Sequence, residues 1–201
     1  RQTLEASSRI AVTHCLDAQS CFFVQQDPEV IDKGVFHNDV ISLANENVFF
    51  FHEKAFVNTR NFMDSLRNAY ERSGVSKDLF LIDVKDSDLS VEDAVKSYLF
   101  NSQILTLANG EMLLLCPSEC EENERVRDRI EELIADNSPV KSKAFFDLRE
   151  SMRNGGGPAC LRNMCFFLEK ELDMINKTYK FSTELYDRLY TYVSRYYPDI
   201  L

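Results

Sequence analysis

Apolar and polar positions switch between helical and strand spacing along the chain. From Gln2 to Cys15, Ala, Ile and Val recur at helical intervals and predict a helix. Cys21–Gln25 (CFFVQ) predicts a short buried strand, and Asp27-Pro28 a turn. Val35–Ala44 reads as a strand with polar residues embedded at one end. After the turn-like Asn45-Glu46-Asn47, Val48–His52 (VFFFH) returns as a second strand, which is a hairpin signal. Ala55–Gly74 carries an amphipathic pattern and predicts a helix ended by Gly74, followed by a strand at Leu79–Val84. A helical turn or two begins at the capping residue Ser90 and runs to Leu99. Gln103–Ala108 and Met112–Cys116 form a second hairpin across Asn109-Gly110, a dipeptide suited to the positive φ of tight hairpin turns. Glu119–Asp136 predicts a charged helix and Ala144–Leu148 a strand. A glycine loop at 155–158 leads into a strand at Cys160–Leu168, and Ser182–Tyr197 closes the chain as a helix.

The order strand, strand, helix, strand therefore occurs twice, over 35–84 and over 103–148, without sequence identity between the copies. Repeats of this kind stack to share a core. The expectation is an α/β chain of stacked modules, itself a piece of a larger fold. Its start at Arg1 rather than Met, with no signal-like apolar run in residues 1–20, adds the expectation that it begins inside a longer or processed chain.

Composition narrows the function classes. Apolar residues make up 44% and charged residues 28%, ordinary for a soluble domain. No apolar run approaches the ~20 residues of a membrane span. A net charge of −10 without a basic cluster argues against nucleic-acid binding, which needs gathered Lys and Arg. Six cysteines in a chain with no secretion signal predict free thiols in a reducing cytoplasm. Cys116 and Cys120 are loosely spaced for zinc, but no Cys/His pair of matching spacing completes a site, so no metal or cofactor is expected.

Two short segments carry candidate chemistry. In Gly155-Gly156-Gly157-Pro158-Ala159-Cys160, consecutive glycines permit close backbone approach to a ligand, and a thiol follows immediately. In Phe36-His37-Asn38-Asp39, a strand would turn His37 and Asp39 to one face, pairing an acid/base with a carboxylate. The plainer alternatives are a flexible loop with Cys160 as a small core residue, and an exposed His and Asp at a strand end. His14 and His52 are expected at the surface, and Cys165 in the core.

The blocks RQTLEAS, QQDPEVIDKGVFHNDVI, SYLFNSQIL and DLRESMRNGGGPACLR resemble the N-succinylarginine dihydrolase family, with matches from Arg1 to about Arg162 and again in the Tyr-rich final helix. That family belongs to the guanidine-modifying, or pentein, superfamily. The resemblance implies a five-bladed α/β propeller of ββαβ modules, of which residues 1–201 form the C-terminal part of a single catalytic domain whose N-terminal half is absent. It implies Cys160 as nucleophile, His37 as general acid/base, and Arg1, Asp39 and Asn154 as substrate-binding residues. The family's third catalytic group, a Glu upstream of the matched stretch, has no counterpart here. The implied reaction converts N2-succinylarginine and two waters to N2-succinylornithine, two ammonia and carbon dioxide, in a cytoplasmic homodimer without cofactor. Two rivals remain open: an arginine deiminase-like or amidinotransferase-like outcome, and an inactive structural fragment that binds its missing half.

Overall fold

A computed structural model describes residues 2–162, 165, 167–176, 178 and 180–197. The chain divides into two compact units, Arg1–Arg162 and Asn163–Leu201.

The first unit opens with helix α1 (Leu4–Thr13), capped by the Thr3 hydroxyl, which accepts from the Ala6 amide. The expected strand at 21–25 does not form. Its chain is held beside Phe56 by a single bridge at Gln26, with Phe22 and Phe23 exposed. Asp27-Pro28 is not a free turn but the capped start of α2 (Pro28–Asp32), with proline in the first turn, where its missing N–H leaves no partner wanting.

Two sheets follow, each built as predicted from strand, strand, helix, strand. In the first, β1 (Ser42–Asn45) and β2 (Val48–His52) form an antiparallel hairpin. Helix α3 (Thr59–Arg72) then carries the chain over to β3 (Phe80–Val84), which runs parallel to β2. After α4 (Val91–Ser97), the second sheet repeats this pattern. β4 (Gln103–Thr106) and β5 (Met112–Pro117) are antiparallel, and β6 (Val140–Phe146) is parallel to β5. Neither three-stranded sheet closes on itself. The nearly continuous apolar runs VFFFH and MLLLC become the central strands, which have a neighbour along both edges.

The predicted helix at 119–136 is broken into α5 (Glu119–Glu122) and α6 (Glu124–Ala135). Asn123 makes the break. Its side chain accepts from the Val126 amide at 3.3 Å and donates to Asp93 at 3.1 Å, so it serves better as a cap than inside a helix. From α6, Val126, Ile130 and Leu133 point inward at helical spacing and are fully enclosed. Each such side chain contributes about 1.5–3 kcal/mol by burial.

The two modules share one core, in which Phe50 of β2 meets Phe100 at 4.9 Å between ring centroids. They are also joined by polar contacts: Asn45 donates to Thr106 at 2.8 Å, and Thr106 donates to Glu46 at 2.8 Å. His52, expected at the surface, is wholly buried. The Lys54 amide donates to its Nδ1 at 3.1 Å, and its Nε2 faces the Leu89 carbonyl at 3.0 Å. Short helix α7 (Arg149–Arg153) then leads into the glycine loop.

In the second unit, α8 (Glu169–Leu172) precedes α9 (Thr183–Tyr196), which is capped by Ser182. The strand expected from Cys160 to Leu168 is not found among its described residues, and Cys165 is exposed rather than core.

Candidate active site

His37 and Asp39 do not lie on a strand. Gly34, at φ 105°, turns the chain, and a 3-10 turn spans Asn38–Val40. The cause is local: the Val40 and Ile41 amides bond back to the carbonyls of His37 and Asn38, and Ser42 donates to Asn38. These polar groups satisfy one another within the segment instead of pairing with a neighbouring strand. Val40 and Ile41 are buried and anchor the turn, which leaves His37 and Asp39 exposed or partly exposed above the core. The turn keeps the pair together, with His37 Nδ1 3.7 Å from Asp39 Oδ1, and Phe36 packs edge-on to the imidazole at 5.0 Å.

Cys160 sits in a 3-10 turn, Ala159–Leu161, and its thiol-bearing residue is exposed. The loop before it is pinned at several points. Gly155 takes φ 90°, a conformation that side-chain-bearing residues rarely adopt. The Ser151 hydroxyl donates to the Gly156 carbonyl at 2.7 Å, and Gln103 donates to the Pro158 carbonyl. Gly157 is buried, and a side chain there would collide with Asn101 Oδ1.

These segments meet at a cavity of about 70 Å³. His37, Asp39 and Cys160 share its wall with Asn101, Gly155 and Gly157, and Phe36, Tyr98 and Met152 contribute apolar or aromatic surface. The structure thus brings a thiol to an imidazole and a carboxylate that lie more than a hundred positions before it in sequence. Asn154 does not join that wall. It is exposed, and its side chain turns back to donate to the Glu150 carbonyl at 2.7 Å. Arg1 lies outside the described residues.

Asn101 is a site residue that the residue-by-residue reading passed over, although it stands within the SYLFNSQIL block. Only the fold carries it to Cys160. Helix α4 ends at Tyr98 with φ 54°, and a 3-10 turn, Leu99–Asn101, rotates the next side chains inward.

The fold and the cavity define a mixed α/β protein of ββαβ modules that gathers thiol, imidazole and carboxylate around one opening. A family model described as succinylarginine dihydrolase matches residues 1–201, and the chain belongs to that family. Curated relatives agree over the whole chain. The N-succinylarginine dihydrolases of Shewanella putrefaciens, Shewanella oneidensis and Shewanella loihica are 45%, 46% and 47% identical over 201 residues. Those 201 residues are 100% of this chain and 44% of each relative, so the chain spans less than half the length of the proteins it matches. No helix among the described residues is long and apolar enough to cross a membrane.

Proposed function

We propose that these residues form the nucleophile-bearing part of an N-succinylarginine dihydrolase acting in arginine catabolism. The observation that carries this reading is the shared cavity of Cys160, His37 and Asp39, in a chain that matches the family along its full length. The remaining length of the relatives supplies the rest of a five-bladed propeller, including the family's catalytic Glu. Residues 1–201 are then the C-terminal part of one catalytic domain.

The guanidinium carbon is a poor electrophile because its charge is delocalised. Asp39 and the Glu hold the cation, and the Cys160 thiolate attacks its carbon. From the tetrahedral adduct, protonated His37 gives its proton to the departing nitrogen, and one ammonia leaves. His37 then takes a proton from water, which attacks the S-linked carbon and expels the thiolate. The product is a ureido compound, with one water consumed. In a second cycle the thiolate attacks the ureido carbon, the second ammonia leaves, and a second water releases a carbamate. Loss of carbon dioxide from the carbamate yields N2-succinylornithine. Arg1 is suited to a paired contact with a substrate carboxylate, and Asn154 to a hydrogen bond beside the loop. The family resemblance is what suggests a cytoplasmic homodimer, and the net charge of −10 favours this small molecule over nucleic acid as the partner.

The test is ammonia release from N2-succinylarginine by residues 1–201 joined to the rest of the catalytic domain, since this chain spans 44% of its relatives' length. Two ammonia per substrate are expected, with loss of at least a thousandfold in Cys160→Ala, on the order of what removing a nucleophile does elsewhere. Turnover of free arginine with one ammonia would instead assign a deiminase-like reaction. Full activity in Cys160→Ala would refute the nucleophile.

A further inference from the structure

Asn101 stands where the two parts of the site meet, and it is 2% exposed. Its Nδ2 donates to the Asp39 carbonyl at 3.3 Å and lies 4.0 Å from Cys160 Sγ. A backbone carbonyl can only accept, so the donor end of the carboxamide is the one facing Asp39 and Cys160. The two hydrogens of Nδ2 suffice for both partners. The other end, Oδ1, is buried against Gly157 and has no hydrogen-bond partner among the described residues.

An orphaned buried acceptor is costly and uncommon. The contacts of the amide are therefore made by its donor end. That end links the backbone beside Asp39 to the sulfur of Cys160. The Cys160 loop is held on the same side by Gln103, two residues further along. The absence of a side chain at Gly157 is what leaves room for the carboxamide.

We propose that Asn101 is a positioning residue that holds the Cys160 thiolate through an N–H donor and ties it to the His37–Asp39 turn. This rests on the reading of Cys160 as nucleophile. A neutral donor facing sulfur favours the thiolate over the thiol. It does so without adding a cation beside a substrate that already carries one.

The experiment follows the rate of Cys160 alkylation by iodoacetamide at neutral pH, resolved peptide by peptide, in residues 1–201 joined to the rest of the catalytic domain, for wild type, Asn101→Ala and Asn101→Asp. The rate at Cys160 is expected to fall about tenfold in Asn101→Ala and further in Asn101→Asp, where a carboxylate replaces the donor. In Asn101→Ala kcat likewise falls about tenfold, with KM nearly unchanged. A purely structural role predicts the opposite order, because Asp keeps the shape of Asn and would stay nearest to wild type. Cys116 and Cys120, both buried, report folding in the same digest, since they stay unlabelled only while the core is intact. Unchanged alkylation rates in folded variants, or Asp nearest to wild type, overturn the proposal. If the alkylation rates stay put while Cys160→Ala is inactive, only this inference fails. If Cys160→Ala remains active, the reading beneath it fails.

Discussion

His52 connects the core of the first module to the element that delivers Asn101, and its removal has a calculable effect. The ring is wholly buried and edge-on to Phe100 at 6.4 Å. The Lys54 amide donates to Nδ1, so that nitrogen must hold a lone pair, and Nε2–H donates to the Leu89 carbonyl. His52 thereby pins the segment before α4 to the end of β2. In His52→Ala, one backbone donor and one backbone acceptor lose their partners, at about 1–3 kcal/mol each. With the loss of ring packing, the total is about 3–5 kcal/mol, a large part of the roughly 5–15 kcal/mol typical of a domain. Burial holds the His52 pKa below its ordinary value, against the opposing pull of the Leu89 carbonyl and Asp86. The unfolded state therefore binds the proton at higher pH than the native state does. Native stability falls as pH drops below about 6.5 and continues to fall until the native pKa is passed. Alanine does not titrate, so the gap between wild type and His52→Ala is widest near pH 8 and narrows toward pH 5. Urea unfolding followed by circular dichroism at both pH values measures it, and contributions from carboxylates common to both proteins cancel in the difference. A gap that is the same at both pH values, or smaller than about 1 kcal/mol at pH 8, refutes the reasoning.

Two other outcomes are expected. Asn45→Ala removes a nearly buried donor to Thr106 at the seam between the modules and should lower stability by about 1–2 kcal/mol in the same urea assay. The native protein should expose Cys15, Cys160 and Cys165 to a thiol reagent while Cys116 and Cys120 react only on unfolding. The hydrogen bond with the neighbouring Cys116 thiol, and then burial, push the Cys120 pKa well up, which deepens its inertness. A thiol count before and after adding denaturant checks this.

The two ββαβ modules were legible in the sequence because each depends on local pattern. VFFFH and MLLLC are apolar enough to become central strands, Asn109-Gly110 marks a hairpin turn, and Ser90 caps α4 through its bond to the Asp93 amide. The candidates His37, Asp39 and Cys160, which line one cavity, were legible too, because a His-x-Asp pair and a glycine-rich loop ending in cysteine are written in short segments. Their conformations were not. Strand periodicity over 35–44 gave no sign that Asn38 and Ser42 would bond to each other and hold a 3-10 turn. His52 has the polarity of a surface residue, and only two backbone partners from different segments make it a core residue. Asn123 breaks a continuous helical pattern because Asp93, thirty positions away, receives its side chain. Local spacing thus determined the two ββαβ modules and which residues carry reactive groups. Tertiary structure alone decided that Asn101 would meet both Asp39 and Cys160, because that contact depends on a left-handed turn at Tyr98 and on the missing side chain at Gly157.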